Sequence, residues 1–144
     1  MQQMFYSASK LTSLDLSSFD TSKVTTMYFM FASTTALTSL TINSATFNTS
    51  LVTNMNGMFQ YSGLTLLDIS FFNTESVTDM TNMFYGDSKL TTLKLLNWTT
   101  PTAINTGMFT NVNTNIVVHV NAAFNQTFIT NAAFPTAGTI VIGP

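Results

Sequence analysis

The sequence predicts a β-rich α/β repeat solenoid, with about five to six short parallel strands on one face and short helical turns on the other. Three observations carry this. The pair Met-Phe recurs at Met4-Phe5, Met30-Phe31, Met58-Phe59, Met83-Phe84 and Met108-Phe109, in steps of 26, 28, 25 and 25 residues. A leucine signature follows each pair: LTSLDL at 11–16, LTSLTI at 37–42, LTLLDI at 64–69, LTTLKL at 90–95 and a weaker NIVVHV at 115–120. An aromatic (Phe19, Phe47, Phe72, Trp98, Phe124) and then a β-branched residue (Val24, Val52, Val77, Ile104, Ile129) complete every unit.

The strands are justified by alternation. In LTSLDL, Leu14 and Leu16 alternate with Ser13, Asp15 and Ser17, so a period of two sends the leucines inward and the polar residues outward. L-x-x-L-x-L at a period of about 20–29 residues is the leucine-rich-repeat signature. It places strands near 11–17, 37–43, 64–70, 90–96 and 116–121, with a short sixth near 139–142. Stacking then builds three internal columns: Leu14, Leu40, Leu67, Leu93 and Val118; the phenylalanines of the Met-Phe pairs; and Phe19 through Phe124. In SKVTTMYFMF, SLVTNMNGMF and SVTDMTNMF, apolar residues fall three and then six or seven apart, which suits a helical turn. At a strand spacing of ~4.8 Å, the units make a wedge some 25 Å long.

The units run roughly 1–31, 32–59, 60–84, 85–109 and 110–134, with a cap at 135–144. Met1 falls on the column of Met27, Met55 and Met80, so the chain is read as entering in mid-unit. The last units replace Met by Ala132 and Ala133 and Leu by Val118 and Val120, as closing repeats do.

Residues 1–110 closely resemble the BspA-type leucine-rich-repeat surface proteins, through LTSLDLSSFDTSKVTTM, the M-x-x-M-F pairs and MFYGDSKL. Asp87 stands where that family commonly has a cysteine. The resemblance implies a right-handed solenoid on a cell or virion surface, working in adhesion or recognition, and brings no catalytic residues with it.

Composition narrows the partners. Charged residues make up 7% of the chain against roughly 25% in an ordinary domain, and Thr, Ser and Asn take their place. There is no arginine, the four lysines are scattered and the net charge is −2, so nucleic acid is not an expected partner. Without cysteine there is no disulfide framework, thiolate metal site or cysteine nucleophile. No apolar run approaches the ~18 residues of a membrane span, so no membrane insertion is expected. No export signal or anchor is visible, so the extracellular or surface location rests on the resemblance alone.

The outward strand positions are the natural binding face. Ser13, Asp15, Ser39, Thr41, Leu66, Asp68, Thr92, Lys94, Leu96 and His119 are its candidate residues, flanked by Ser17, Asn43, Ser70, Val117 and Asn121. They describe a shallow polar patch with apolar footholds; a solvated sheet face with an Asp68–Lys94 cross-strand pair is the plainer account. Asp15 and Asp68, two strands and ~10 Å apart, exceed the ~6.5–9.5 Å of an inverting glycosidase pair. His119 is the only histidine and has no second ligand in sequence reach, so no catalytic, metal or cofactor site is expected.

Threonine ladders raise ice binding as a weaker reading: Thr12, Thr38, Thr65, Thr91; Thr21, Thr49, Thr74, Thr100; and Thr25, Thr53, Thr78. The second ladder follows Asp20, Asn48 and Asn73 and reads as turn chemistry, and the third opens the expected helical turns as a cap. One remaining column is narrow for an ice-ordering face. Asn48, Asn97 and Asn125 head N-x-[ST] sequons, common by chance in so Asn- and Thr-rich a chain.

The expected function is a non-enzymatic module that binds a protein or glycan of a host or neighbouring surface through the strand face. The alternative is a structural part of a virion, filament or surface assembly, self-associating end to end or laterally.

Overall fold

The computed structural model describes residues 1–99, 103–121 and 133–143. Among the described residues six short strands run parallel: β1 Ser13–Asp15, β2 Ser39–Thr41, β3 Leu66–Asp68, β4 Thr92–Leu95, β5 Val117–Val120 and β6 Thr139–Ile142. Except between β2 and β3, each pairs in register with the equivalent residues of the next unit, Leu14 with Leu40, Leu67 with Leu93, Leu93 with Val118 and Val118 with Ile140. The first five strands are shorter than the periodicity predicts, the first three most of all, and the sixth has the expected bounds. In β1 and β3, Asp15 and Asp68 capture the amides of Ser17 and Ser70 two residues on, and these Asx turns bend the chain away.

Inside, the columns are filled as expected. Phe5, Phe31, Phe59, Phe84 and Phe109 stack with ring centroids 5.3–5.9 Å apart and planes within 16°. Met27, Met30, Met55, Met58, Met80, Met83 and Met108 are fully buried around them. Phe47 stacks on Phe72, and buried Trp98 donates its indole N–H to the Ile69 carbonyl at 3.0 Å. Phe124 and Ile129 lie outside the described residues.

The helical turns predicted opposite the strands do not form. Among the described residues there is no helix, and each Met-Phe segment is a run of linked turns. Alternate amides point in different directions. Met55, Gly57, Phe59 and Tyr61 donate sideways to the carbonyls of Asp79, Thr81, Met83 and Tyr85 in the next unit. Met58, Gln60 and Ser62 donate three residues back, to Met55, Gly57 and Phe59. A helix would spend every amide inside its own segment; here half of them hold the stack together.

This alternation needs left-handed backbone at two fixed places, two residues before and two after each phenylalanine. Gln3, Phe29, Gly57, Asn82 and Gly107 occupy the first column, and Ser7, Ser33, Tyr61, Gly86 and Asn111 the second, all with φ between +51° and +75°. Glycine and asparagine suit that conformation, whereas a bulky side chain costs roughly 1–2 kcal/mol there. Phe29 and Tyr61 are the aromatic exceptions.

Candidate functional site

The strand face is split. β1 and β2 form one sheet and β3 to β6 another, although on the back of the solenoid the bridges Thr26–Asn54, Asn54–Asp79 and Asp79–Ile104 continue without a break. The cause is a change of spacing on both sides of the split. Five residues separate Ile42 from Phe47, where Leu16 to Phe19, Ile69 to Phe72 and Leu95 to Trp98 take three. The two additional residues form a turn in which Phe47 and Thr46 both donate to the Asn43 carbonyl. Conversely, Phe59 to Leu64 is one residue shorter than Phe31 to Leu37 or Phe84 to Leu90. The shortened segment draws Gly63 so close to the preceding unit that a Cβ there would meet the Thr35 and Leu37 carbonyl oxygens at 2.6 and 2.8 Å. β3 is thereby carried out of register with β2.

A cleft of about 270 Å³ opens between the two sheets, lined by Leu40, Thr41, Ile42, Leu66, Leu67 and Asp68. Its walls are strand edges. Thr41 accepts the amide of Leu16, just past the end of β1, and Ile69, just past β3, donates to the Lys94 carbonyl in β4, so parallel alternation turns the backbone groups of Leu40 on one wall and of Leu66 and Asp68 on the other toward the gap. Leu66 is 57% exposed at the lip.

The register brings the sequence-predicted residues together in two groups. Ser13, Asp15, Ser39 and Thr41 are exposed on the first sheet, with Asp15 beside Thr41. Leu66 and exposed Asp68 begin the second, where Asp68, Lys94, His119 and Val141 stand side by side. Thr92, Lys94 and His119 are only half exposed, so the open part of the face is β1 to β3. Leu96, expected within the fourth strand, lies just past its end, where its amide is held by the Ser70 hydroxyl at 3.1 Å.

The carboxylates on this face are kept ionised. The amide and hydroxyl of Ser17 hold Asp15 below the usual carboxylate range. Partial burial pushes Asp68 up, but hydrogen bonds from Ser70 and the Lys94 ammonium at 3.5 Å outweigh it and leave the group lowered. Such an exposed ion pair contributes about 0–1 kcal/mol, so its value on the face is orientation rather than stability.

The threonine ladders spend their hydroxyls within the stack. Thr38 and Thr91 donate to the carbonyls of Thr12 and Thr65, Thr53 and Thr78 to those of Thr25 and Thr53, and Thr21 and Thr49 to those of Asn48 and Asn73. Thr100 and the Asn125 sequon lie outside the described residues, and Asn48 and Asn97 are exposed.

Sequence reasoning missed the cleft, although its signal, the altered spacing after Ile42 and before Leu64, is written in the chain. It also passed over an array of exposed aromatics, Tyr6 and Tyr61 among them, because those residues fall outside the leucine signature.

These features define a parallel β-solenoid repeat protein with a split strand face. The chain belongs to the family described as "Mycoplasma protein of unknown function, DUF285", which matches residues 1–132. No curated protein and no solved structure matches it significantly.

Proposed function

We propose that this solenoid is a non-enzymatic, surface-exposed recognition module that holds an extended segment of a partner protein against its strand face. The observation that supports this reading is the cleft between β2 and β3. It combines an apolar floor, an exposed leucine at the lip and two facing strand edges with backbone donors and acceptors to offer. Exposed strand edges recruit extended peptides by main-chain hydrogen bonding, with side-chain pockets adding selectivity. The BspA-type leucine-rich-repeat identity belongs to the same proposal: its repeat pattern runs through residues 1–110, and an adhesive role on a cell or virion surface follows from it.

Beads coated with the full chain and with a Thr41→Lys/Leu66→Asp variant test the reading on host-cell monolayers. The expected result is adhesion by the native chain and at least about a tenfold loss in the variant, the effect of removing central contacts. Equal adhesion by the two would exclude the cleft.

A second reading, packing of solenoids end on end in a surface assembly, is supported by the outer strand β6, where Val141 and Ile142 are 37% and 59% exposed. Sedimentation over a concentration series separates the two, because Ile142→Lys would abolish self-association and leave bead adhesion intact.

A further inference from the structure

Phe29 and Tyr61 depart from the rule of their own columns. Both hold left-handed backbone, with φ of +51° and +55°, at positions that other units fill with Gly, Asn, Ser or Gln. Each side chain reaches across to the next unit, and a glycine stands beneath it. A Cβ on Gly57 would meet the Phe29 ring at 2.8 Å, and one on Gly86 would overlap the Tyr61 ring. These rings stand outside the core cluster, Tyr61 44% exposed and Phe29 half-buried. Tyr6, itself 49% exposed, packs edge-on to Phe29 at 6.1 Å, and Tyr85 packs edge-on to Tyr61 at 5.4 Å.

The polar tips are arranged as well. Asn111 donates from Nδ2 to the Tyr85 hydroxyl at 3.2 Å. We propose that this strip, Tyr6, Phe29, Tyr61 and Tyr85, is a stacking platform for a neutral glycan chain, separate from the strand face.

The chemistry selects that ligand in three ways. The strip joins ring surfaces to hydroxyl and amide tips, which complement the C–H faces and hydroxyl rims of pyranoses. It contains no charged side chain, so nothing in it recruits a phosphate, a sulfate or a basic segment. One ring of the strip stands in each of four successive Met-Phe segments, in two pairs, Tyr6 with Phe29 at 6.1 Å and Tyr61 with Tyr85 at 5.4 Å, steps comparable to the length of one sugar residue, so a linear chain can run from unit to unit over them.

The test is affinity electrophoresis of the full chain in native gels containing hydroxyethylcellulose, laminarin or yeast mannan, with serum albumin as the unretarded reference. The native chain is expected to be retarded by at least one of these. A Tyr6→Ser/Tyr61→Asn variant should lose about tenfold or more of that affinity, as expected when stacking anchors are removed. Its thermal midpoint should stay at or above the native value, because asparagine accepts left-handed backbone more readily than tyrosine. Leu66→Asp, on the strand face, should be retarded like the native chain, which keeps this outcome distinct from failure of the cleft. No retardation in any of the three gels, or equal retardation of the double variant, would overturn the proposal. So would retardation confined to an anionic polysaccharide such as hyaluronan.

Discussion

At Gly57 and Gly86 the backbone takes a conformation that glycine holds without strain, and a ring from the preceding unit fills the space a side chain would need. Gly57→Ala is therefore expected to cost about 1–3 kcal/mol through left-handed strain and overpacking together, measured as a lowered urea midpoint. Phe29→Ala in the same chain should recover part of that loss. Asp87 is the other exceptional residue. It is 1% exposed, one carboxylate oxygen accepts the Ser62 amide at 2.7 Å, and the other has no partner. Burial pushes its carboxyl well above the ordinary value, against the pull of the Ser62 amide. The folded chain thus binds this proton more tightly than the unfolded one, and stability falls as pH rises from the ordinary value of 3.8 toward the raised one. Asp87→Asn removes that slope, so it should stabilise by about 1 kcal/mol or more at neutral pH and make no difference below about pH 4. Thermal unfolding across that range checks the sign. Asp15, Asp20, Asp68 and Asp79 act oppositely, because their lowered carboxyls give up stability as pH falls through their folded values.

At the level of elements, the strands were legible and the return segments were not. Leu14, Leu40, Leu67 and Leu93 alternate with polar neighbours, and a period of two has no other common meaning. Val24, Met27, Met30 and Phe31 share their spacing with a helical turn, and that coincidence misled the reading. The contrary signal was present in Gly57, Asn82, Gly86, Gly107 and Asn111, residues that favour left-handed backbone and recur two places either side of the phenylalanine. What no single window could show is that alternate amides are taken by the neighbouring unit, which is a property of the stack. The polar strand face was likewise legible, but the cleft depends on two spacing changes acting together. Restoring the common spacing tests that account. Deletion of Ser44 and Ala45 should let β2 pair with β3, close the cleft and protect the amides of Leu66 and Asp68 from solvent exchange. If those amides exchange as before, the spacing is not what splits the sheet.

On the scale of the whole molecule, contacts run chiefly between neighbouring units, the Lys89 ammonium on the Thr35 carbonyl at 3.3 Å being one that skips a unit, so stability is mainly a sum of intrinsic and nearest-neighbour contributions. The phenylalanine column makes that measurable. Phe59 has a stacked ring on both sides, at 5.3 and 5.9 Å, while Phe5 has only Phe31. Phe59→Ala should cost about 3–5 kcal/mol as a buried large-to-small change, and Phe5→Ala roughly half as much, both read from denaturant unfolding. Equal losses would show that the stack melts as one indivisible block.

The sideways amides add a sense of direction to this melting. Along the Met-Phe segments the donors of one unit always point to the carbonyls of the unit that follows it, from Phe5 to Met30, Phe31 to Met58, Phe59 to Met83 and Phe84 to Met108. A stack that peels from its C-terminal end would bare alternate N–H groups on the surface left behind. Within these segments, peeling from the other end would bare only C=O groups, which carry no exchangeable hydrogen. Deuterium uptake with single-amide resolution would therefore report which end opens first: an every-second-residue rhythm just inside the retreating boundary marks the C-terminal front, and its absence marks the N-terminal one.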